Sequence, residues 1–212
     1  MPLISPEERA HIKEMLDKAT KYDVKLVNFT QEFECKYCRE TRELFEELAQ
    51  LSNKIRVEVY DFLKDSDKAK GLSIDKIPAT VIIAEKAYGV RYFGIPAGFE
   101  FASLLEDIID VSQRTTRLSQ TTRERLKTIN KPVHIQVFVT PTCPFCPRAV
   151  RLAHQFAMEN DLIRGDMIES TEFPQHANKY RVMAVPKIVV NETLAFEGAL
   201  PEQQFLDFVM LA

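Results

Sequence analysis

The hydrophobic and polar positions fall into two similar series of short elements. Val24-Lys25-Leu26-Val27-Asn28-Phe29 and Val133-His134-Ile135-Gln136-Val137-Phe138-Val139 are alternating, β-branched runs, and each predicts a strand. Downstream the apolar period lengthens to that of a helix. Leu44, Phe45, Leu48 and Leu51 share one face, and Leu152, Ala153, Phe156 and Met158 repeat the pattern. Each series then predicts a second strand (Ile55 to Tyr60; Ile163 to Ile168), a polar helical link, a third strand after a proline, and a fourth (Tyr88 to Phe93; Leu194 to Phe196). Helices near Phe99 to Val111 and Pro201 to Leu211 close them. An extra helix is expected to start at Ser5, with Pro6 in the first helical position and Glu8 completing a capping box; a similar one, Thr121 to Ile129, opens the second series.

The repeat has a fixed spacing. Cys35 and Cys143 differ by 108 positions, and so do Pro78 and Pro186. Lys76-Ile77-Pro78-Ala79-Thr80-Val81-Ile82-Ile83 corresponds to Ala184-Val185-Pro186-Lys187-Ile188-Val189-Val190, as expected of a diverged duplication. The least apolar stretch, Ser112 to Thr122, marks the boundary and gives units 1–116 and 117–212.

At 212 residues and 45% hydrophobic, the chain can bury the cores of two small units. Its 28 basic and 31 acidic residues are interspersed, with no like-charge run that would hold a nucleic acid or a membrane surface. No stretch approaches a transmembrane helix, and the start lacks the basic and apolar regions of a signal peptide, so a cytoplasmic protein is expected. None of the six glycines forms a phosphate-cradling loop, so any flavin or nicotinamide belongs to a partner.

All four cysteines lie in two Cys-x-x-Cys pairs, Cys35/Cys38 and Cys143/Cys146. As staples they would do little, because closing so short a loop removes only ~2 kcal/mol of unfolded-state entropy against ~5 for a loop of 100 residues. They read instead as working thiols. The thiolate is the attacking species, and a strand-to-helix junction puts Cys35 and Cys143 in the first turn of a helix, where unpaired N–H groups and the macrodipole favour the anion. Cys38 and Cys146, about one turn on, can attack a mixed disulfide and release the substrate. Lys36-Tyr37 and Pro144-Phe145 separate the pairs and predict unequal redox poise, with Pro144 suited to the first helical position. The identical register of Pro78 and Pro186 predicts that both follow cis bonds and sit against the dithiols, leaving the backbone of Ile77 and Val185 to pair with an extended substrate. Two other readings compete: a four-thiolate zinc site, and a binder of unfolded chains using Phe33, Tyr37 and Phe145 with incidental thiols. His134 and His154 are read as structural.

With these residues in hand, the chain resembles the thioredoxin superfamily and, with two units, the glutaredoxin-like protein disulfide oxidoreductases of thermophilic archaea and bacteria. The resemblance rests on Cys35-Lys36-Tyr37-Cys38, on Cys143-Pro144-Phe145-Cys146, which is close to a glutaredoxin motif, on Ile77-Pro78 and Val185-Pro186, and on Tyr88 to Gly98. It implies an α/β fold of two tandem thioredoxin-like units, each a mixed four-stranded sheet flanked by helices, with the two sheets joined. It also implies reduction, formation or isomerisation of protein disulfides, no cofactor beyond the redox-active disulfides, and a thioredoxin-reductase-like flavoprotein as electron donor. The chain departs from thioredoxin in having no tryptophan and no carboxylate in the strand before either motif. Glu32 and Glu34 are the nearest acids to the first pair. The second unit is expected to handle most substrate exchange.

Overall fold

The computed structural model describes residues 2–212. The first half runs α1 (Pro6–Ala19), β1 (Val24–Thr30), α2 (Cys38–Ala49), β2 (Ile55–Asp61), α3 (Ser66–Gly71), β3 (Ala79–Ile83), β4 (Ala87–Phe93) and α4 (Glu100–Gln113). The second runs α5 (Gln120–Leu126), β5 (Val133–Val139), α6 (Cys146–Glu159), β6 (Ile163–Glu169), α7 (Pro174–Lys179), β7 (Lys187–Val190), β8 (Leu194–Glu197) and α8 (Glu202–Met210). The capping box at α1 forms as the sequence predicts: the Glu8 N–H donates to the Ser5 hydroxyl at 3.3 Å, and the Ser5 N–H to the Glu8 carboxylate at 3.0 Å. Such a cap contributes about 1 kcal/mol.

All eight strands form one sheet in the order β2-β1-β3-β4-β6-β5-β7-β8, so the two four-stranded sets meet where β4 and β6 pair in parallel, Val90 opposite Gly165 through Phe93 opposite Ile168. Helices cover both faces of the central strands, so even their polar side chains Asn28, Gln136 and Asp166 are buried, whereas the edge strand β2 is largely open. Val24 and Leu26 enter the larger core with Leu16, Phe45, Leu104 and Phe156, whereas Val27 and Phe29 enter a smaller one with Ala69 of α3 and Ala177 of α7. α6 is buried on more than its apolar face because α4 of the first half packs along it. It also lies close on the sheet: a Cβ added at Gly165 would stand 2.7 Å from the Ala153 carbonyl oxygen.

Ionic groups fill the junction. Arg91 of β4 grips Asp166 of β6 with two hydrogen bonds of 2.7 and 2.8 Å, and His134 reaches the same carboxylate at 2.6 Å. Burial opposes the Asp166 charge, but Arg91 and His134 hold this carboxyl well below the usual range. Across the other face Arg151 of α6 pairs with Glu106, Asp107 and Asp110 of α4, while Asp107 also meets His154 and the Tyr92 hydroxyl. Full burial pushes the His154 imidazole down to about 3, with Arg151 adding to the effect, so it stays neutral. The chain between α4 and α5 is held down as well: the Arg117 N–H donates to Gln155 of α6 at 2.8 Å, and Thr116 bonds Glu159.

Candidate active site

Strand directions decide where the cysteines lie. β1, β2, β4, β5 and β6 run the same way, and β3 and β7 run against them. The ends of β1 and β5, which lead into the cysteine loops, therefore share one edge of the sheet with the starts of β3 and β7, which follow the prolines. Ala79 pairs with Phe29 and Lys187 with Phe138, one or two residues before the loops that carry Cys35 and Cys143. The bonds Ile77–Pro78 and Val185–Pro186 are both cis, and both prolines are buried. Each proline carbonyl accepts from the glycine that ends the second strand after it, Gly94 after β4 at 2.9 Å and Gly198 after β8 at 2.8 Å, so the two halves repeat this frame down to single hydrogen bonds.

Each pair is closed as a disulfide, Cys35–Cys38 and Cys143–Cys146, with Cα atoms 5.5 Å apart in both. The first cysteines do not occupy the leading turn of a helix, as the sequence suggested. α2 and α6 start at the second cysteines, with Tyr37 and Phe145 as the residues before their first turns. The strand must reverse direction before the helix can begin, and that turn consumes the residues from Cys35 to Tyr37 and from Cys143 to Phe145. Pro144 is accordingly outside the helix, and the proline in its first turn is Pro147. The sulfur still meets the helix end from outside: the Cys146 N–H donates to Cys143 Sγ at 3.1 Å. A backbone donor on sulfur and the positive end of the helix both favour a thiolate there when the pair is reduced.

Exposure separates the members of each pair. Cys35 is half-buried against 1% exposure at Cys38, and Cys143 is 7% exposed against none at Cys146. A cavity of about 400 Å³ opens beside Cys35, lined by Glu32, Arg39, Arg42, Asp61 and Lys64 among others.

Two carboxyls at the same edge escaped sequence reasoning. Glu172, after β6 of the second half, accepts from the Ile95 N–H at 2.7 Å and keeps its other oxygen buried without a partner. Burial pushes this carboxyl up to about 7, with the neighbouring Glu169 and Glu40 carboxylates adding and Lys36 opposing. Lys36 and Glu40 flank the first dithiol, so the second half presents an acid to the first half's site. Glu100, at the start of α4, is 1% exposed, and burial raises it to about 7 as well. Glu32 and Glu34, the acids singled out from the sequence, are exposed or nearly so at the surface of the first site. No local pattern marks Glu172 or Glu100; only the joining of β4 to β6 and the packing of the 94–100 segment bury them.

That segment also builds the second site. The Phe99 N–H donates to the Pro141 carbonyl at 3.1 Å, two residues before Cys143. Gly98 adopts φ +61°, and a Cβ there would stand 2.2 Å from the same oxygen, so no other residue fits without displacement.

A four-thiolate zinc site has no support. Among the described residues no group of three or more His, Cys, Asp and Glu side chains is arranged to hold a metal, and the cysteines are paired with each other.

Comparison with known proteins agrees with this geometry. The thioredoxin domain model matches residues 133–210. The protein disulfide oxidoreductase of Aeropyrum pernix is 35% identical and superposes with a TM-score of 0.91 over 97% of this chain and 91% of that one. The alkylhydroperoxide reductase AhpF of Enterococcus faecalis, 22% identical, shares the fold, with a TM-score of 0.89 over 97% of this chain and 99% of the matched chain. The NADH dehydrogenase of Bacillus subtilis and an alkyl hydroperoxide reductase of Staphylococcus epidermidis are 26% and 27% identical over 77% and 79% of this chain, which spans 30% of the length of each. The chain belongs to the tandem thioredoxin-fold family of protein disulfide oxidoreductases.

Proposed function

We propose that this chain exchanges thiols and disulfides with protein substrates through two dithiols, Cys35/Cys38 in unit 1–116 and Cys143/Cys146 in unit 117–212. The observation that carries this reading is made twice. A cysteine pair bridges the approach to a helix, with the leading sulfur the more accessible and the trailing one buried. In the reducing direction the thiolate of Cys35 or Cys143 attacks a substrate disulfide, bonds to one sulfur and expels the other as thiolate. The thiolate of Cys38 or Cys146 then attacks the leading cysteine, displaces the second substrate sulfur and leaves the enzyme disulfide. Two electrons pass to the substrate, and the reverse sequence forms a substrate disulfide.

Ile77 and Val185, each before a buried cis proline, offer backbone groups at the same edge, and an extended substrate segment would bond there. Glu172 and Glu100 supply carboxyls that titrate near neutrality, where a group can both take and return a proton. The electrons for repeated turnover would come from a thioredoxin-reductase-like flavoprotein, in a cytoplasmic setting where thiols are kept reduced. Supporting a reductase as donor, two relatives are named NADH dehydrogenase and alkyl hydroperoxide reductase, and this chain matches 30% of their length. Among the described residues no helix is long and apolar enough to cross a membrane.

Insulin reduction by the chemically reduced protein tests the reading. Activity is expected to disappear when Cys35→Ser and Cys143→Ser are combined. Full activity in that double variant would refute dithiol exchange.

A further inference from the structure

We propose that the cavity beside Cys35 receives a carboxylate carried close to the disulfide under attack, so that the first dithiol prefers anionic disulfides and the second does not. The inference rests on the dithiol-exchange reading and adds the substrate class of one site.

The cavity exists because the first half has no neighbour on one side. β2 is the edge of the sheet, whereas its counterpart β6 is covered by β4. Counted from the cysteines, Asp61 and Lys64 of the cavity wall correspond to Glu169 and Glu172; counted from the ends of β1 and β5, Glu32 corresponds to Pro141. All three counterparts meet the segment that follows β4. A Cβ added at Gly94 would stand 2.7 Å from Glu169 Cβ, the Ile95 N–H donates to Glu172 at 2.7 Å, and the Phe99 N–H donates to the Pro141 carbonyl at 3.1 Å. The space that residues 94–99 fill beside the second dithiol is therefore open beside the first, a cavity of about 400 Å³ with Cys35 itself in its wall.

The lining sets the chemistry. Arg39, Arg42 and Lys64 bring three cations against the carboxylates of Glu32 and Asp61. Asp61 already accepts from the Leu63 and Lys64 N–H groups at 3.0 and 2.8 Å, and Glu32 is exposed. The cations are held loosely, Arg39 by Glu40 at 3.2 Å, Arg42 by Glu46 at 3.6 Å and Lys64 by Asp61 at 4.0 Å, in surface pairs that a substrate carboxylate can displace. The Arg42 Nε is buried without a hydrogen-bond acceptor. At the second site the counterparts of these cations are Pro147, Val150 and Glu172. Arg148 of α6 lines a separate cavity, with Glu106 and Glu202, whose wall does not include Cys143.

In the preferred reaction the Cys35 thiolate bonds to one substrate sulfur and expels the other as a thiolate, while the substrate carboxylate rests among the three cations. The Cys38 thiolate then displaces the retained sulfur and closes the enzyme disulfide. Two electrons pass to the substrate, and the protons of the dithiol reach the released thiolates through solvent.

The test compares two chemically reduced full chains, one keeping the first dithiol (Cys143→Ser with Cys146→Ser) and one keeping the second (Cys35→Ser with Cys38→Ser). Single-turnover rates are measured on dithiodipropionate and bis(2-hydroxyethyl) disulfide, and on two disulfide-linked peptides with Asp or Asn beside the cysteine. The anionic-to-neutral rate ratio of the first protein is divided by that of the second, which removes the intrinsic reactivity of each disulfide. The quotient is expected to be about 5 at low salt, as one surface ion pair allows, and to fall towards one as salt rises. A quotient of this size with the small disulfides, with the peptides or with both supports the inference and names the source of the carboxylate. Adding Arg42→Gln and Lys64→Gln to the first protein is expected to bring the quotient close to one; each ratio is taken within one protein, so loss of folded protein does not alter it. A quotient of one for both pairs, with bis(2-hydroxyethyl) disulfide still reduced, would overturn the inference and leave dithiol exchange standing. A quotient unchanged by Arg42→Gln and Lys64→Gln would also overturn it, by separating the preference from this cavity. No reduction of any of the four probes by the protein that keeps the first dithiol would instead remove the reading on which it rests.

Discussion

Around Cys35 and around Cys143 the chain builds the same frame and then finishes it differently. Both sites have a strand leading to the pair, a helix starting at the second cysteine, and a cis proline whose carbonyl accepts from a glycine across the turn. At the first site the surrounding surface is charged, a cavity adjoins the leading sulfur, and a carboxyl titrating near 7 arrives from the other half. At the second the leading sulfur is more buried and receives a backbone N–H, and Phe145 between the two cysteines is exposed. The shared frame is what disulfide exchange needs. The differing rims bear on potential and partner, which a duplicated site is free to vary once a second copy carries out the exchange.

The largest expected effect tests whether both frames are reactive. In a chain lacking the first dithiol, Cys143→Ser is expected to lower insulin reduction by about a thousandfold or more, since no other nucleophile can replace the sulfur. Cys35→Ser is expected to do the same in a chain lacking the second dithiol. A site that withstands loss of its leading cysteine would end the equivalence of the two.

Next in size is the junction that makes the halves one body. Arg91→Met is expected to destabilise the protein by about 3–5 kcal/mol in denaturant unfolding, because it leaves Asp166 buried without its cation. Arg91→Met combined with Asp166→Leu is expected to recover most of that loss. A small effect from Arg91→Met alone would mean that the halves do not depend on this contact.

Gly98→Ala is expected to cost about 1–3 kcal/mol, since it adds strain at positive φ and a clash with the Pro141 oxygen. It sharpens the comparison because the disturbed loop belongs to the second site: rates there are expected to fall while those at Cys35 hold.

The smallest effect concerns pH. Glu100 and Glu172 have folded-state carboxyls near 7, above the ordinary 4.5, so the folded protein holds these protons more tightly than the unfolded chain does. Their contribution to stability is complete below about 4.5 and is lost as pH rises through about 7, with a slope of at most ~1.4 kcal/mol per pH unit for each. Glu172→Gln is expected to flatten that decline, as measured by chemical unfolding between about pH 5 and 8. Asp166 acts in the opposite sense: its lowered carboxyl stabilises the fold above the ordinary carboxylate range and loses that contribution only in strong acid. An unchanged slope in Glu172→Gln would mean that this carboxyl is not held protonated at the edge between the sites.

Much of the frame is legible in the sequence because it is written in local signals. Strand alternation, the helical period after each pair, the Ser5 cap and the 108-residue spacing reach into the structure with boundaries moved by only a few residues. The helix starts lie three residues beyond where the sequence pattern puts them, since hydrophobic periodicity reports the buried face and not where the chain finishes turning. Glu172, Glu100 and Phe99 are not legible as site residues at all. Each gains its place from the pairing of β4 with β6 or from the packing of the 94–100 segment on the other half, and neither relation leaves a local pattern. The same holds for α6, whose Arg151 and His154 look like a polar face until α4 covers them.

Trapping of mixed disulfides tests the central claim most directly. Cys38→Ser and Cys146→Ser proteins, each with the other dithiol removed, are mixed with a disulfide-bonded substrate, and the adduct is mapped by mass spectrometry. Substrate bonded to Cys35 in the one and to Cys143 in the other is the expected result. Adducts that form at Cys38 and Cys146 when the leading cysteines are replaced instead, with none at Cys35 or Cys143, would contradict it.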